Sequence, residues 1–319
     1  MAAEKSAAAA RPRGAAFDPL FKGLCAASAT FVLISLGGVI VSLAVGGWPA
    51  FRKFGPGFLL SSEWNPVTEV YGAAGPIVGT LISSGLALAL ALPVALGIAV
   101  FLVEFCPRIL ARPVAVAVEL LAGIPSIVYG MWGLFVFAPW FSAHVQMPLM
   151  MAAAPGSLFE QLVQGIPNGA NIFTASVILA LMILPYMAAV FRELFLTVPQ
   201  GVRESAFALG ATPLESVGKV VMPYVSRGAI GVIMLGLGRA LGETMAVTFI
   251  IGNTHAFPKS LFDSGSTIAS TIANEFAEAT SDMHTASLIA LGLVLFLITF
   301  VVLAIARGLL STQRYSGGA

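Results

Sequence analysis

The chain has too few charged residues to be a soluble protein. Only 10% of its 319 residues are charged and 58% are hydrophobic, whereas an ordinary soluble domain has about 25% charged residues. Most of its surface must therefore face membrane lipid, where only helices or closed barrels satisfy the backbone. Barrel strands alternate apolar and polar residues. The long continuous apolar runs of this sequence instead predict membrane-spanning helices.

Cysteine, histidine and excess charge of one sign are also scarce. Cys25 and Cys106 are the only cysteines, and the formal net charge is +1. Two separated cysteines exclude a disulfide framework and a thiolate metal cluster, and a nearly neutral chain gives no basis for nucleic-acid binding. His144, His255 and His284 all fall between predicted spans. A single histidine in a loop is usually a solvated side chain, so we assign none of them a role.

Six apolar segments are long enough to cross a bilayer, which takes about 20 residues per helix. We predict spans at about 23–47, 75–102, 114–140, 172–191, 225–252 and 285–306. Residues 1–21 and 311–319 are predicted to be tails, the first of them disordered. Residues 22–63 would hold the first span and an outer loop, and residues 64–310 a core with the other five. The predicted fold class is an all-α integral membrane protein with six transmembrane helices.

Basic residues near the span ends predict the orientation, because they collect on the cytoplasmic side. One side of the membrane would carry twelve of them, namely Lys5, Arg11, Arg13, Lys22, Arg108, Arg112, Arg192, Arg203, Lys219, Arg227, Arg307 and Arg314. The other side would carry only Arg52, Lys53 and Lys259. Both termini are therefore predicted to be cytoplasmic. In the last outer loop, Ile268, Ile272 and Phe276 recur at helical spacing and predict a short amphipathic helix on the outer surface.

The cytoplasmic segment 198–223 has the pattern of a short exposed helix. Pro199 suits the first turn of a helix and Gly210 its end. The apolar face between them consists of Val202, Ala206 and Leu209. A partner protein can hold such a helix in a groove, although amphipathicity alone favours a surface helix that merely connects two spans.

The fifth predicted span carries two charges inside the membrane. Arg239 lies about 21 Å along the helix from Val225, near the bilayer centre, where a charge costs about 2.5–3.5 kcal/mol on insertion scales. Glu243 is four residues further on and is predicted to pair with Arg239. Such a pair either holds the bundle together or marks an ion pathway, and the second is more common. Arginine also matches tetrahedral oxyanions, so we assign Arg239, Glu243 and Thr244 to a substrate pathway.

Glycine and proline add two predictions about helix packing. Gly238 and Gly242 form a G-x-x-x-G pattern, which lets another helix approach closely. Pro125 removes a backbone hydrogen bond in the third predicted span and should kink it. Glu119, about one and a half turns earlier at 3.6 residues per turn, is either a snorkelling carboxylate near the cytoplasmic edge or a functional group.

Several stretches closely resemble the phosphate ABC transporter permeases of the PstC type. They are Tyr71-Gly72-Ala73, Gly79-Thr80-Leu81, Glu119 to Phe135, Met182-Ile183-Leu184-Pro185 and Arg239 to Asn253. Segment 198–223 is similar to the EAA loop of ABC importers, with Glu204-Ser205-Ala206, Gly210 and Met222-Pro223, and Ser205 replaces the usual alanine. The resemblance covers roughly residues 64–310.

This resemblance implies a MetI-like bundle in a bacterial cell membrane that works by alternating access. The coupling helix would dock into a separate ATPase dimer through Arg203, Glu204, Ser205, Ala206, Leu209 and Gly210. A second permease of the PstA type and an extracytoplasmic phosphate-binding protein would complete the importer. The chain has no G-x-x-x-x-G-K-[ST] phosphate loop. ATP and Mg²⁺ would therefore bind the partner ATPase, and this chain is expected to be neither an enzyme nor a cofactor-binding protein.

Three alternatives stay open at this stage. In the first, the chain belongs to an importer of sulfate or molybdate rather than phosphate. Neither the charges of the chain nor the spacing of its motifs excludes this alternative. A proton- or sodium-coupled secondary transporter would use Glu243 as its titrating group. A membrane interaction or sensory subunit would move no solute. The EAA-like loop favours the ATP-driven importer, because neither of the last two needs an ATPase docking site.

Overall fold

The structure, a computed structural model, describes the backbone of residues 18–312 and their side chains except for residue 108 and those from 309 onward. Six helices are long and apolar enough to cross a membrane, which confirms the predicted fold class. Contacts divide the chain into one unit that ends at Gly46 and a second that begins at Gly47. Residues 1–17 of the predicted tail at 1–21 lie outside the described residues. A helix already begins at Asp18, within the predicted tail.

The described part of the first unit is a single helix. Helix α1 runs Asp18–Phe54, and its side chains up to residue 39 are all exposed, including Phe31, Leu33 and Ile34. Exposed apolar groups at this density need hydrocarbon as their solvent. From Gly47 onward α1 belongs to the second unit, where Ala50 is fully buried.

The first half of the second unit contains two spans and a hairpin. Its elements are α2 (Gly57–Leu60), β1 (Trp64–Asn65), β2 (Val70–Tyr71), α3 (Ala74–Val100), α4 (Arg108–Ala122), α5 (Ser126–Trp132), α6 (Ala138–Phe141), α7 (Met147–Ala152) and α8 (Leu158–Val163). Strands β1 and β2 pair antiparallel. A π-helical turn, Phe101–Phe105, extends α3 into one span, and two further π-helical turns join α5, α6 and α7 into another.

The second half contains the other three spans and the segment 198–223. Its elements are α9 (Ile172–Leu196), α10 (Gln200–Ala208), α11 (Pro213–Ser216), α12 (Met222–Leu241), α13 (Met245–Ile250), α14 (Ile268–Glu275) and α15 (Asp282–Thr312). A π-helical turn, Val217–Val221, joins α11 to α12. The predicted tail at 311–319 lies outside the described residues from 313 onward.

Helix α9 is the centre of the bundle. Its large side chains Ile178, Met182, Ile183, Met187 and Phe191 are almost completely buried. Helix α3 packs along it through a row of alanines at four-residue spacing, Ala87, Ala91, Ala95 and Ala99, all fully buried. Residues four apart lie on one face of a helix, and small side chains let two backbones come close. This packing fixes α3 and α9 side by side.

The third predicted span, 114–140, is wrong in its position. Helix α4 ends at Ala122, Pro125 is extended with ψ 136°, and the span begins only at Ser126 and continues to Ala152. Proline disfavours the helical conformation of the residue before it. Pro125 therefore separates two helices rather than kinking one.

The fifth predicted span, 225–252, is also wrong. The membrane-length helix begins at Pro213 and ends at Leu241, and residues 242–244 break it before α13 begins. The predicted outer helix exists as α14, but it is not a surface helix. Its residues 268–271 are buried, and the backbone N–H of Ile268 donates a 2.9 Å hydrogen bond to Oγ1 of Thr80 in α3.

Candidate functional site

Segment 198–223, predicted to be cytoplasmic, forms the short helix that the sequence predicts. Helix α10 begins after Pro199, and Gly210 follows its end with φ +87°. The N–H of Gly210 donates to the carbonyl of Phe207 at 2.9 Å, and that of Ala211 to the carbonyl of Ala206 at 3.1 Å. Glycine adopts this left-handed conformation without steric cost. Gly210 therefore terminates α10 and turns the chain back towards the membrane.

The two faces of α10 differ from the predicted pattern at Leu209. The predicted apolar face is divided: Val202 packs against the bundle core and Ala206 is buried, whereas Leu209 lies at the C-terminal end with 90% of its surface exposed. Glu204 and Ser205 are also exposed. We call Glu204, Phe207, Leu209 and Leu214 the cytoplasmic surface, since all four are exposed. A cavity of about 310 Å³ opens beside it, lined by Ala206, Leu209, Gly210, Ala211, Glu215, Lys219 and Val220.

Arg203 points into the protein rather than towards a partner on that surface. Its Nη2 atom lies 3.1 Å from Oε1 of Glu104, and the two side chains are only 16% and 11% exposed. The same Nη2 donates a 2.7 Å hydrogen bond to the carbonyl oxygen of Phe195. Removing one partner of a buried ion pair costs about 3–5 kcal/mol, because the other charge stays desolvated. Arg203 thus binds the bundle, which the prediction of an ATPase contact did not anticipate.

The intramembrane charges lie where α12 ends. Arg239 is in the last turn of α12, and Gly242 follows that helix as its C-terminal cap. Among the described residues Arg239 forms no ion pair with Glu243, so the predicted pair is wrong. The two would pair only in a continuous helix, and the break at 242–244 removes that geometry. Oε1 of Glu243 instead accepts a 3.3 Å hydrogen bond from the N–H of Ala246.

Arg239 lies on an open face of the bundle beside an aromatic ring. Its side chain is exposed, and its guanidinium carbon is 5.7 Å from the centre of the Tyr186 ring in α9. Such a cation–π contact contributes about 0.5–1 kcal/mol at exposed sites. Thr244, in the break after α12, donates a 3.3 Å hydrogen bond to the carbonyl of Gly242. The arrangement holds a guanidinium at the face of the bundle without neutralising it.

The glycines that pack against neighbouring helices are not the predicted pair. A Cβ on Gly238 would meet no atom within 4 Å among the described residues, and one on Gly242 would meet only the carbonyl of Gly238. Gly228 and Gly236 fill the packing role, since a Cβ there would overlap Leu194 and Met187 of α9. The face with Gly238 and Gly242 is uncovered by the residues that the structure describes.

Glu119 connects two helices close to the break at Pro125. Its Oε1 atom lies 3.6 Å from Nη1 of Arg192 in α9, and half of the Glu119 side chain is exposed. The same Nη1 atom lies 2.6 Å from Oε1 of Glu193. Exposed ion pairs contribute about 0–1 kcal/mol. Glu119 therefore orients α4 on α9 and is not a strong anchor.

A cavity of about 440 Å³ lies between α3, α4, α5 and α9. Its lining is apolar apart from the Tyr129 hydroxyl and the Trp132 indole N–H: Ile98, Val118, Leu121, Ile124, Val128, Tyr129, Trp132, Leu181, Leu184 and Pro185. The Tyr129 hydroxyl donates a 3.1 Å hydrogen bond to the carbonyl of Leu121. Such a lining offers no cation or group of N–H donors to an oxyanion. The open face at Arg239 is therefore the better candidate for the pathway.

On the opposite side of the membrane, two histidines share one carboxylate. Nε2 of His255 lies 2.6 Å from Oε1 of Glu275, and Nε2 of His284 lies 2.8 Å from Oε2. The indole N–H of Trp64 donates a 2.7 Å hydrogen bond to the same Oε2. We call Trp64, Tyr71, His255, Glu275 and His284 the outer cluster. Assigning no role to His255 and His284 was therefore wrong: both connect outer segments.

Aromatic stacking and hydrogen bonds to the Glu275 carboxylate hold the outer cluster together. The Trp64 ring stacks on His255 with centroids 5.3 Å apart, and Tyr71 stacks on His284 at 5.2 Å. Burial raises the pKa of the Glu275 carboxyl, but the hydrogen bonds from His255, Trp64 and His284 outweigh it and hold the pKa below its ordinary value. The cluster thus joins the hairpin, α14 and the start of α15 around an ionised carboxylate.

Six membrane-length helices, with the short exposed helix α10 before the fifth, are the architecture of a multi-pass membrane protein. Residues 95–314 match the profile of the binding-protein-dependent transport system inner membrane component. The chain belongs to this family, whose members are multi-pass transport subunits rather than enzymes.

The similarity to named relatives extends over almost the whole chain. The phosphate transport system permease protein PstC of Mesorhizobium japonicum is 51% identical over 301 residues, covering 93% of this chain and 91% of that protein. PstC of Pasteurella multocida is 53% identical and covers 90% of each chain. PstC 1 of Mycobacterium tuberculosis is 37% identical, covering 91% of this chain and 92% of that protein.

Solved structures show the same fold at low sequence identity. A chain of the bacterial alginate ABC transporter, solved with an alginate pentasaccharide-bound periplasmic protein, has a TM-score of 0.61 at 16% identity and covers 95% of this chain and 97% of its own length. A chain of the MetNI methionine ABC transporter in an inward-facing conformation has a TM-score of 0.50 at 20% identity, covering 74% of this chain and 94% of its own length. The predicted MetI-like permease bundle is confirmed.

Proposed function

We propose that this chain is a permease subunit of an ATP-driven importer of inorganic phosphate. The observation that carries the proposal is the 51% identity to a phosphate transport system permease across 93% of the chain. That similarity covers the break after α12, where Arg239 presents its guanidinium. Arginine binds phosphate oxygens through paired, forked donors. The arginine suits any tetrahedral oxyanion, and the identity to phosphate permeases is what favours phosphate over sulfate or molybdate.

The open face around Arg239 is the proposed substrate pathway. Arg239 is exposed there, and Gly238 and Gly242 meet no other helix within the described part of the chain. An intramembrane charge left in contact with lipid would be costly. A second, homologous permease of the PstA type would cover this face and enclose the pathway between the two subunits. Glu243 and Thr244 lie on the adjoining break and would form its wall.

Energy for transport would come from a separate ATPase dimer. The chain has no phosphate loop, and the cytoplasmic surface offers exposed apolar groups for docking. An extracytoplasmic phosphate-binding protein would deliver phosphate at the outer loops. ATP binding would move α10, open the pathway outward, and hydrolysis would reset it inward. Both termini would then lie in the cytoplasm, on the side of α10.

Reconstitution of the complete complex in liposomes tests this function. Vesicles that hold ATP inside, with phosphate and the binding protein outside, should accumulate radiolabelled phosphate, and phosphate should stimulate ATP hydrolysis. Excess unlabelled sulfate or molybdate should not compete. Competition by either anion would indicate that the importer binds that oxyanion and would contradict selectivity for phosphate. Uptake driven by a proton or sodium gradient without ATP would contradict the ATP-driven mechanism.

A further inference from the structure

Arg203 joins the cytoplasmic helix α10 to two different spans. Its Nη2 atom lies 3.1 Å from Oε1 of Glu104, in the π-helical turn that ends the span of α3. The same atom donates to the carbonyl of Phe195, in the last turn of α9. The last carbonyls of a helix have no partner within it and carry partial negative charge. One guanidinium therefore connects α10 with the cytoplasmic ends of α3 and α9.

Among the described ion pairs of this side, this is the one in which both side chains are largely buried. The Arg203 and Glu104 side chains are 16% and 11% exposed, whereas Lys219 and Glu215 are 75% and 47% exposed. Charges removed from water interact strongly and separate only at high cost. A movement of α10 must therefore carry the ends of both spans with it or break a desolvated pair.

The contact leaves hydrogen-bonding capacity unused on both side chains. Nε of Arg203 and Oε1 of Glu104 are buried and have no hydrogen-bond partner among the described residues. Arginine and carboxylate groups favour two parallel hydrogen bonds. A small rotation of α10 would convert the present one-point contact into that two-point contact. The pair can thus be made tighter as well as broken.

The rest of α10 offers little other attachment. The helix has only nine residues, and a helix of that length is not stable without tertiary contacts. Val202 and Ala206 supply its apolar packing, and Glu204 and Leu209 face the cytosol. Apolar contacts resist separation but do not fix direction. The directional link is the guanidinium.

We propose that the Arg203–Glu104 pair is the strut that transmits the movement of α10 to the membrane-spanning helices. Both are then positioning residues: neither contacts phosphate, and neither is required for the ATPase to dock. This inference rests on the proposed ATP-driven function. Without the strut, ATP hydrolysis continues while α3 and α9 no longer follow α10.

A double-mutant cycle in the complete reconstituted complex tests the strut. The variants are Glu104→Gln, Arg203→Gln and the two together, with phosphate uptake and ATP hydrolysis measured in the same vesicles. Each single variant should lower phosphate transported per ATP hydrolysed about tenfold. Residues that act as one unit are not additive, so the double variant should lose about tenfold and not about a hundredfold. Glu193→Gln, whose side chain is 65% exposed in its ion pair with Arg192, is the matched control and should leave the ratio unchanged.

The possible outcomes separate the strut from the function on which it rests. If the unmodified complex does not transport phosphate with ATP, the proposed function fails. If it does, unchanged ratios in the single variants, or losses that multiply in the double variant, overturn the strut. Should a glutamine variant not assemble, Arg203→Lys decides the matter. Lysine keeps the positive charge but lacks the forked donors with which arginine reaches both Glu104 and the Phe195 carbonyl. A complex that assembles but transports less phosphate per ATP hydrolysed supports the strut, and an unchanged ratio of phosphate to ATP contradicts it.

Discussion

The guanidinium carbon of Arg239 lies 5.7 Å from the centre of the Tyr186 ring. This contact sets the position of a charge that no carboxylate neutralises within the described chain, although Glu243 is only four residues away in sequence. Because Glu243 accepts from the N–H of Ala246 instead, the positive charge of Arg239 remains available to an anion. The two intramembrane charges therefore have separate roles: Arg239 faces the open surface, and Glu243 accepts a hydrogen bond from the first turn of α13.

Replacing Arg239 by glutamine should abolish most phosphate uptake without loss of the assembled complex. One charge-assisted hydrogen bond contributes about 1.5–3 kcal/mol, so uptake should fall at least about tenfold. Arg227→Gln, an exposed arginine on the same helix, is the matched control and should transport normally. The measurement is uptake of radiolabelled phosphate, with subunit composition checked by co-purification. Loss of assembly in Arg239→Gln would indicate a structural role instead.

The Tyr186 ring, rather than its hydroxyl, should matter for phosphate affinity. Tyr186→Phe keeps the ring and should transport like the unmodified protein, whereas Tyr186→Leu should raise the KM for phosphate roughly 2- to 5-fold, the equivalent of a cation–π contact of about 0.5–1 kcal/mol. The maximal rate should change less than KM, because Arg239 keeps its charge. Equal behaviour of the two variants would remove Tyr186 from the pathway.

The cytoplasmic surface should determine ATPase binding through Leu209. This side chain is 90% exposed, so Leu209→Asp should leave the chain folded in the membrane. Burying a leucine contributes about 1.5–3 kcal/mol, and the variant should bind the ATPase about 10- to 100-fold more weakly. Val67→Asp, at a side chain 93% exposed near the β hairpin, is the control and should bind the ATPase normally.

Glu204→Lys should also uncouple hydrolysis from uptake. Normal ATPase retention and normal uptake in Leu209→Asp and Glu204→Lys would refute docking at this surface.

Hydropathy correctly predicts the helices that consist of one uninterrupted run of apolar residues. Spans at about 172–191 and 285–306 correspond to α9 and α15, because a run of apolar residues is a local property. The breaks at 123–125 and 242–244 were missed, since α4 and α13 are also free of strongly polar runs. Helix termini depend on backbone conformation at a few residues, and hydropathy does not report it.

Contacts between distant residues could not be predicted from one sequence. Trp64 and Glu275 are 211 positions apart, and their hydrogen bond depends on how the hairpin and α14 meet. The contact between Arg203 and Glu104 was equally unpredictable. The sequence placed Arg203 on a docking helix and Glu104 at the end of a span. Histidines in separate loops carry no pattern. Only the packing of α3, α9, α14 and α15 brings these groups together.

Gly79 should be intolerant of alanine, unlike Gly85 in the same helix. A Cβ on Gly79 would overlap the carbonyl oxygen of Ser266, whereas a Cβ on Gly85 meets no atom within 4 Å among the described residues. Overpacking typically costs about 1–3 kcal/mol, and Gly85→Ala should stabilise the helix by about 0.5–1 kcal/mol. Thermal unfolding of the purified complex should show a lower midpoint for Gly79→Ala only. Equal midpoints would mean that α3 and the Ser266 loop are not in close contact.

The outer cluster should make the protein sensitive to acid through Glu275. The folded-state pKa of this carboxyl lies below its ordinary value because His255, Trp64 and His284 stabilise its charged form. A depressed pKa contributes stability that is present above the ordinary value of the carboxyl and is lost as pH falls through the folded-state value. Thermal stability should therefore decline as pH falls from the ordinary glutamate value, about 4.3, through the lower folded-state pKa.

Glu275→Gln tests that assignment, because it removes the titrating group while keeping the shape of the side chain. The variant should be less stable than the unmodified complex at neutral pH, and the difference should shrink as the medium becomes acidic. Glu278→Gln, an exposed glutamate three residues away, should follow the unmodified pH profile. Trp64 is in direct contact with Glu275, so tryptophan fluorescence should change together with the loss of stability. A Glu275→Gln profile parallel to that of the unmodified complex would show that another group causes the acid sensitivity.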